Sequence, residues 1–448
     1  MKTSRNRKRI FVNGAGVAMM AAAAIVLSAC SGGTAAPAAQ KQTDSGGKLV
    51  IWVDPPRVPA AEAFKKANPD IETEVVQIDG TVGGKTVQQQ FAQFDAAGSG
   101  WPDAIFFPSN DDIAWATGSQ SNYAADLTKL LPDVISGYDP AVLSMCNIDD
   151  KIRCLRNDAA PDVFWYNAKF FKDNGYTVPT TWEEYATLGA TIAKDHPGKI
   201  SGFLGDAYAP DRYLWAANCP TNDRLSETEA HINLTDPNCV RGKDVINTLV
   251  TGKAASSLGI FDADASKAGQ DLVMSPGALW WGDYLFKTTW KLPAGEMQAT
   301  APLTWEGESA PSTGNEGGGL WGMSSHIKGK ELTNAEKFMT FVATDPAWQV
   351  ELTTGLPAYG PVQDAWIAKQ SESKYFYDTD ATFAAFKGAI SNVPAGHNYM
   401  LYNTGSVWTE TVTPALVAGK SVDDAWKAFG DELTNQAKAQ GYTVVDSK

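Results

Sequence analysis

Apolar positions along this chain follow two spacings that take turns. Leu49-Val50-Ile51-Trp52-Val53 is a continuous run of strand length, closed by Pro55 and Pro56. Ala60, Phe64 and Ala67 follow at helical spacing; Ile71 to Ile78 reads as a second strand, Val87 to Ala97 as a helix stopped by Gly98, and Ala104-Ile105-Phe106-Phe107 as a third strand. Uninterrupted apolar runs mark strands buried on both faces, and strands separated by single helices mark βαβ units. An α/β fold with a largely parallel sheet is the expectation.

The alternation continues. Val163-Phe164-Trp165-Tyr166 reads as a strand. Thr181 with Glu184 forms a capping box opening a helix to Lys194, whose Trp182, Tyr185, Leu188 and Ile192 share one face. Thr333 with Glu336 predicts a second such start, ahead of Phe338, Met339 and Val342, and Ser421 a third, ahead of Val422, Trp426, Phe429 and Leu433. Trp52, Trp182 and Trp426 are assigned to the core.

Composition narrows the class. The chain has 448 residues, 44% hydrophobic and 20% charged. That is too long for one compact core, so two domains are expected. Lys2, Arg5, Arg7, Lys8 and Arg9 precede an alanine-rich apolar stretch ending at Leu27-Ser28-Ala29-Cys30. Cations, a short apolar run and small residues form a secretory leader rather than a membrane span. The net charge of −14 deepens to −19 when those five cations leave with the leader. Such a surface disfavours nucleic acid and anionic ligands. Residues 31–47 lack apolar periodicity and form a flexible tether.

Beyond Cys30 four cysteines remain, Cys146, Cys154, Cys219 and Cys239. In an oxidising compartment an even number suggests two disulfides, with three connectivities open. Cys146–Cys154 and Cys219–Cys239 are favoured, the first because its cysteines flank a hairpin with an Asp149-Asp150 turn. The wide spacing and only four histidines argue against zinc.

The ending at Cys30 resembles the lipobox of bacterial lipoproteins, which implies that Cys30 is lipid-modified and holds the protein at the outer face of the bacterial cell membrane. The order of later segments resembles the solute-binding lipoproteins of ATP-driven sugar importers, the family of maltose-binding protein. The likeness runs through Phe64-Lys65-Lys66 to Asn68-Pro69-Asp70, Pro102-Asp103-Ala104-Ile105-Phe106, Asp149-Asp150-Lys151-Ile152, Tyr166-Asn167-Ala168-Lys169-Phe170-Phe171, Pro179-Thr180-Thr181-Trp182-Glu183-Glu184, Gly317-Gly318-Gly319-Leu320-Trp321-Gly322-Met323 and Thr354-Gly355-Leu356-Pro357. Cys154-Leu155-Arg156-Asn157 stands where the family often has an aromatic-glycine-leucine-proline run.

The resemblance implies a two-lobed periplasmic-binding-protein-like fold (class II). Each lobe would be a sheet flanked by helices, with the ligand cleft between them. Crossings are expected near Asp158–Val163, Gln298–Thr304 and Leu356–Val362, giving one lobe of residues 48–160 plus 304–357 and another of 161–303 plus 358–448. It implies a monomer without cofactor or metal, binding a small carbohydrate and delivering it to the transmembrane permease subunits of an ABC importer.

Fifteen tryptophans, against fourteen tyrosines, suit such a ligand, because flat rings cover the C–H faces of sugars while carboxylates and amides meet the hydroxyls. Within Trp280-Trp281-Gly282-Asp283-Tyr284, the family's glycine loop points to Tyr284 and then Trp281 as stacking rings, with Asp283 beside them. Trp408 follows the loop carrying Tyr402, where the family supplies another ring. Polar candidates lie in loops after strands: Arg57, Asn110, Asp111, Asp211, Arg212 and Glu316. Core packing is the competing assignment for each ring, and simple solvation for each polar residue. A secreted glycoside hydrolase would need two opposed carboxylates about 5–10 Å apart; Glu306 and Glu308 are adjacent acids but show no such opposition. No G-x-S-x-G in strand-turn-helix context, H-E-x-x-H or phosphate loop occurs. A polymer-binding surface lipoprotein is the other alternative, and within solute binding a peptide or polyamine.

Overall fold

The structure, a computed structural model, describes residues 46–78, 85–109, 112–118, 121–226, 228–393 and 403–446. Cys30 and its leader, Asn110, Asp111 and Tyr402 lie outside the described residues. In chain order the strands are β1 (Leu49–Val53), β2 (Thr73–Gln77), β3 (Ala104–Phe107), β4 (Asn147–Ile148), β5 (Lys151–Ile152), β6 (Leu155–Arg156), β7 (Asp162–Asn167), β8 (Asp223–Arg224), β9 (Glu229–His231), β10 (Met274–Ala278), β11 (Met297–Thr300), β12 (Leu320–Met323) and β13 (Thr443–Val445).

The fold is a two-domain α/β arrangement of mixed sheets flanked by helices. The first sheet has the order β2-β1-β3-β12-β6. β1 runs parallel to β2 and β3, as their helical connections require, while β12 is antiparallel to both β3 and β6. The second sheet, β10-β7-β11, is antiparallel throughout. The parallel pairing expected from the sequence is therefore limited to β2-β1-β3 and, in a small third sheet, to β13 beside β9. A single helical crossover returns the chain to the same end of the sheet and so makes its two strands parallel. β7 and β10 are joined by several elements, so their relative direction is free.

Burial follows the apolar pattern. Leu49, Ile51 and Val53 are fully buried, and Phe64 of the helix Val58–Ala67 packs edge-on to Phe338 and Phe341 at 5.2 and 5.5 Å. In the second sheet one face carries Trp165 against Phe286 and Phe386, and the other Phe164 against Tyr185. The capping box at Thr181 forms, and Ser421 caps the helix Val422–Ala439. Thr333 does not open a helix. The helix runs from Gly329 to Thr344, and the Thr333 hydroxyl donates back to the Gly329 carbonyl inside it. A Ser or Thr can bond the turn before it as readily as cap the turn after, and sequence alone does not separate the two.

Both disulfides pair as favoured, Cys146–Cys154 and Cys219–Cys239. Asp149 and Asp150 sit at φ 52° and 57°, the two left-handed positions of the two-residue turn joining β4 and β5. Removing either disulfide by paired serine substitution is expected to cost about 2–4 kcal/mol in denaturant unfolding; no loss would mean that the unfolded chain is not restricted by the bridge.

Asp103 ties β1 to β3. It accepts the Val50 N–H at 2.6 Å and meets Glu331 from the helix behind the sheet. Burial first, then Glu331, push its carboxyl up to about 8, against the pull of the Val50 N–H. A carboxyl whose folded value lies above its unfolded value of about 3.9 binds its proton more tightly when folded. Folding stability should therefore fall as pH rises from about 4 to 8, by at most about 1.4 kcal/mol per unit from this group. Asp103→Asn should flatten that slope in unfolding measured between pH 5 and 9; an unchanged slope would place the titration elsewhere.

Candidate functional site

Three stretches run side by side where the two sheets meet. Asp158 bridges Pro357 and Pro161 bridges Asn315, while the Glu316 N–H donates to the Ala160 carbonyl at 3.0 Å. The middle stretch is not at Gln298–Thr304. Gln298 lies within β11 opposite Tyr166, Thr304 bridges Thr181, and Trp305 stacks on Trp182 at 5.3 Å, all within the second body. The chain passes to the first sheet through residues 313–319. Gly318 and Gly319 are left-handed there, and a Cβ would strike the Arg156 guanidinium at one and the Phe106 ring at the other. Only glycine lets the passage run this close to the first sheet.

Glu316, fully buried, is the hub. Its carboxylate accepts from Arg212 Nε at 2.7 Å and Nη2 at 3.0 Å, a bidentate pair, and from Trp281 Nε1 at 3.2 Å. Its carbonyl accepts from Trp280 Nε1 at 2.8 Å. Arg212, equally buried, also donates to the Phe203 carbonyl and Asp206, and lies 4.7 Å over the Trp281 ring. Burial opposes its charge, but Asp206 and Glu316 outweigh that and raise its affinity for the proton. Asp162 stands beside Glu316 with neither carboxyl oxygen hydrogen-bonded in a fixed direction; burial and then the Glu316 charge drive it well above the usual carboxylate range. Half-buried Asp211 is pushed up for the same two reasons.

Next to this lattice lies a patch of rings. Trp280 and Tyr208 are half-buried, while Phe261 and Tyr284 are 53% and 39% exposed. Phe261 lies parallel to Trp280 at 6.0 Å, Tyr284 stands edge-on to both, and Tyr208 approaches Trp280 at 6.0 Å. From the first body Arg57, held by Asp54 at 3.1 Å and lying 4.1 Å over Phe106, reaches Tyr208 and Asp158 with its charge. The ensemble offers flat apolar faces beside anchored acceptors and donors. It holds no nucleophile–base pair.

Of the residues singled out from sequence, Arg57, Asp211, Arg212, Glu316, Trp281 and Tyr284 converge here. Trp281 is fully buried, Arg212 on one face and the Gly277 backbone close against its ring, so it supports the patch rather than forming its surface. Asp283 pairs with Lys287 at 2.9 Å. Trp408 is fully buried in the second body's core, donating to the Leu204 carbonyl and packing edge-on to Phe429. The neighbours of Trp408 are core residues because the helix Thr404–Val417 turns that face inward. Glu308 is exposed and pairs with Arg241, away from any opposed carboxylate in the lattice. Tyr208 and Phe261 escaped sequence reading. Their only signal was an aromatic within a loop, Gly205-Asp206-Ala207-Tyr208-Ala209-Pro210 and Leu258-Gly259-Ile260-Phe261-Asp262.

The chain is 22% identical over 311 residues to the multiple sugar-binding protein of Streptococcus mutans serotype c, spanning 64% of this chain and 67% of that protein. Its fold is shared with the ABC transporter associated binding protein from B. animalis subsp. lactis Bl-04, solved with beta-1,6-galactobiose (TM-score 0.72, 20% identity, 89% of this chain and 99% of that one). It is shared equally with the galacto-N-biose-/lacto-N-biose I-binding protein of Bifidobacterium longum, solved with lacto-N-biose (TM-score 0.70, 19% identity, 90% and 100%). Residues 53–347 match the model of the bacterial extracellular solute-binding proteins, and the chain belongs to that family.

Proposed function

We propose that the protein binds a short, uncharged oligosaccharide against Trp280, Tyr208, Tyr284 and Phe261 and delivers it to the permease of an ABC importer. The observation that carries this reading is a half-exposed ring patch fixed by hydrogen bonds to a buried acid–arginine lattice. Rings cover the apolar sugar faces; Asp211, Arg57 and the Tyr208 hydroxyl meet its hydroxyls. An unpaired buried hydroxyl would cost about 1–3 kcal/mol, which is the source of discrimination between sugars. The acidic balance of the chain, −14 overall, disfavours an anionic ligand. The sugars bound by the two solved relatives and the name of the streptococcal one support the ligand class.

The lobes of this reading are residues 48–160 with 320–357, and residues 161–312 with 358–448, joined through the three adjacent stretches. Sugar contacts made only with the lobes together would draw the population toward closure. Cys30 carries the lipid anchor that keeps the protein beside its permease. Intrinsic tryptophan fluorescence of the chain from Ser31 onward, titrated with an oligosaccharide panel, should change saturably for a few related sugars. New reducing ends would instead show hydrolysis, retention only on insoluble polymer would show adhesion, and silence across the panel would reject carbohydrate.

A further inference from the structure

Close in sequence to each disulfide, the chain makes contacts that cross between the bodies. Met145 precedes Cys146, and Asp149 tops the hairpin that Cys146–Cys154 closes. This hairpin belongs to the first body: the Leu127 N–H donates to the Ile152 carbonyl, and the Thr128 hydroxyl accepts from the Ile152 N–H. Opposite stand Trp215 and Arg224, on either side of Cys219, which Cys239 ties to the helix Pro237–Thr251 of the second body. Met145 and Ala114 from the first body form a small buried cluster with Trp215 and Val393 from the second, separate from both main cores. Arg224 Nη1 donates to Asp149 at 3.1 Å, and Asn403 donates to the Ser109 hydroxyl at 2.9 Å across the same boundary.

We infer that these contacts are a clasp: Met145 and Asp149 on one side, Trp215 and Arg224 on the other, set the balance between closed and open lobes without touching the ligand. An exposed ion pair between two long, mobile side chains contributes little, because ordering them offsets the attraction. Here the Asp149 loop is fixed by a disulfide and a two-residue turn, and Arg224 lies within a strand a few residues from a second disulfide, so most of that ordering is done before the pair forms. Met145, whose sulfur also accepts from Arg156 and Asn315, adds with Trp215 a buried apolar contact across the boundary. The four residues are positioning residues for the proposed binding function. The clasp goes beyond that reading, since it acts on the ligand-free protein.

The test reads lobe separation with no sugar present. Spin labels at exposed Lys66 and Lys427, one on each body, report closed and open populations by pulsed dipolar spectroscopy. Asp149→Asn should lower the closed-to-open ratio about two- to fivefold, and Met145→Ala more than tenfold. The exchanged pair Asp149→Arg with Arg224→Asp should restore what either single reversal loses. Paired serines at Cys146 and Cys154 should open the protein as Asp149→Asn does. Asp149 is largely exposed, so its substitution leaves the fold intact. Unchanged populations in Asp149→Asn and Met145→Ala, or a lower melting temperature without opening, would overturn the clasp. A protein that binds no sugar but still opens on these substitutions would reject the carbohydrate reading and leave the clasp standing.

Discussion

Glu316→Ala is expected to lower the free energy of unfolding by about 3–5 kcal/mol, among the largest losses any single substitution should produce here. Arg212 would be left charged and fully buried with only Asp206 and a carbonyl as partners, and Trp281 Nε1 would lose its acceptor. Most of the loss is the desolvation of the orphaned charge, not the attraction removed, so it should be recovered largely by removing both partners together. Arg212→Met with Glu316→Leu should therefore be more stable than Glu316→Ala, as buried ion pairs exchanged for apolar residues usually are. Asp162→Asn offers the contrast. Burial and then the Glu316 charge favour the protonated form of its carboxyl, so exchange for the amide should cost little. Equilibrium denaturation at pH 7 orders the three variants; a loss below about 1 kcal/mol for Glu316→Ala would show that water reaches the pair.

Trp280→Ala should weaken sugar binding at least thirtyfold, the scale of a hot-spot aromatic contributing about 2 kcal/mol or more. Trp280 lies beside Phe261, Tyr208 and Tyr284, and its indole is pinned to the connecting passage. Its melting temperature should fall little, since the ring is half-exposed. Trp408→Ala should do the reverse, destabilising by about 3–5 kcal/mol through a cavity while leaving affinity unchanged. Calorimetric titration beside thermal unfolding separates the two. If Trp408→Ala removes binding at unchanged stability, the ligand sits deeper in the second body than proposed.

β1, β2 and β3 of the first sheet were readable because they alternate with amphipathic helices, a pattern in which each element carries its own local signal; β6 and β12 of that sheet were not read as strands. β7 was equally plain; its antiparallel partners were not, because pairing between segments a hundred residues apart leaves no local mark. The same distinction divides the site. Arg212 and Glu316 were noticed as loop residues, but their pairing joins positions 104 residues apart. Trp281 and Trp408 looked like sugar platforms because aromatic density by itself does not say which face of a helix turns inward. For Trp280 and Trp281, adjacent in sequence, the answer is set by the π-helical turn over Trp281–Thr289, which sends one ring under Arg212 and leaves its neighbour near the surface. The glycine run at 317–319 carried a signal that the sequence reading left unused: there the backbone passes against Arg156 and Phe106, where a Cβ would not fit.

Glu316 sits in the linking stretch, its N–H bonded to the first linking stretch, yet grips the second body through its carbonyl and carboxylate, held by two indoles and a guanidinium. In the proposed binding mode, the platform under the ligand and the axis about which the lobes would close are thus one mechanical part. Tilting that axis must rotate the Trp280 plane, so a bound ring that fits the platform at only one tilt acts as a gauge of the angle between the halves.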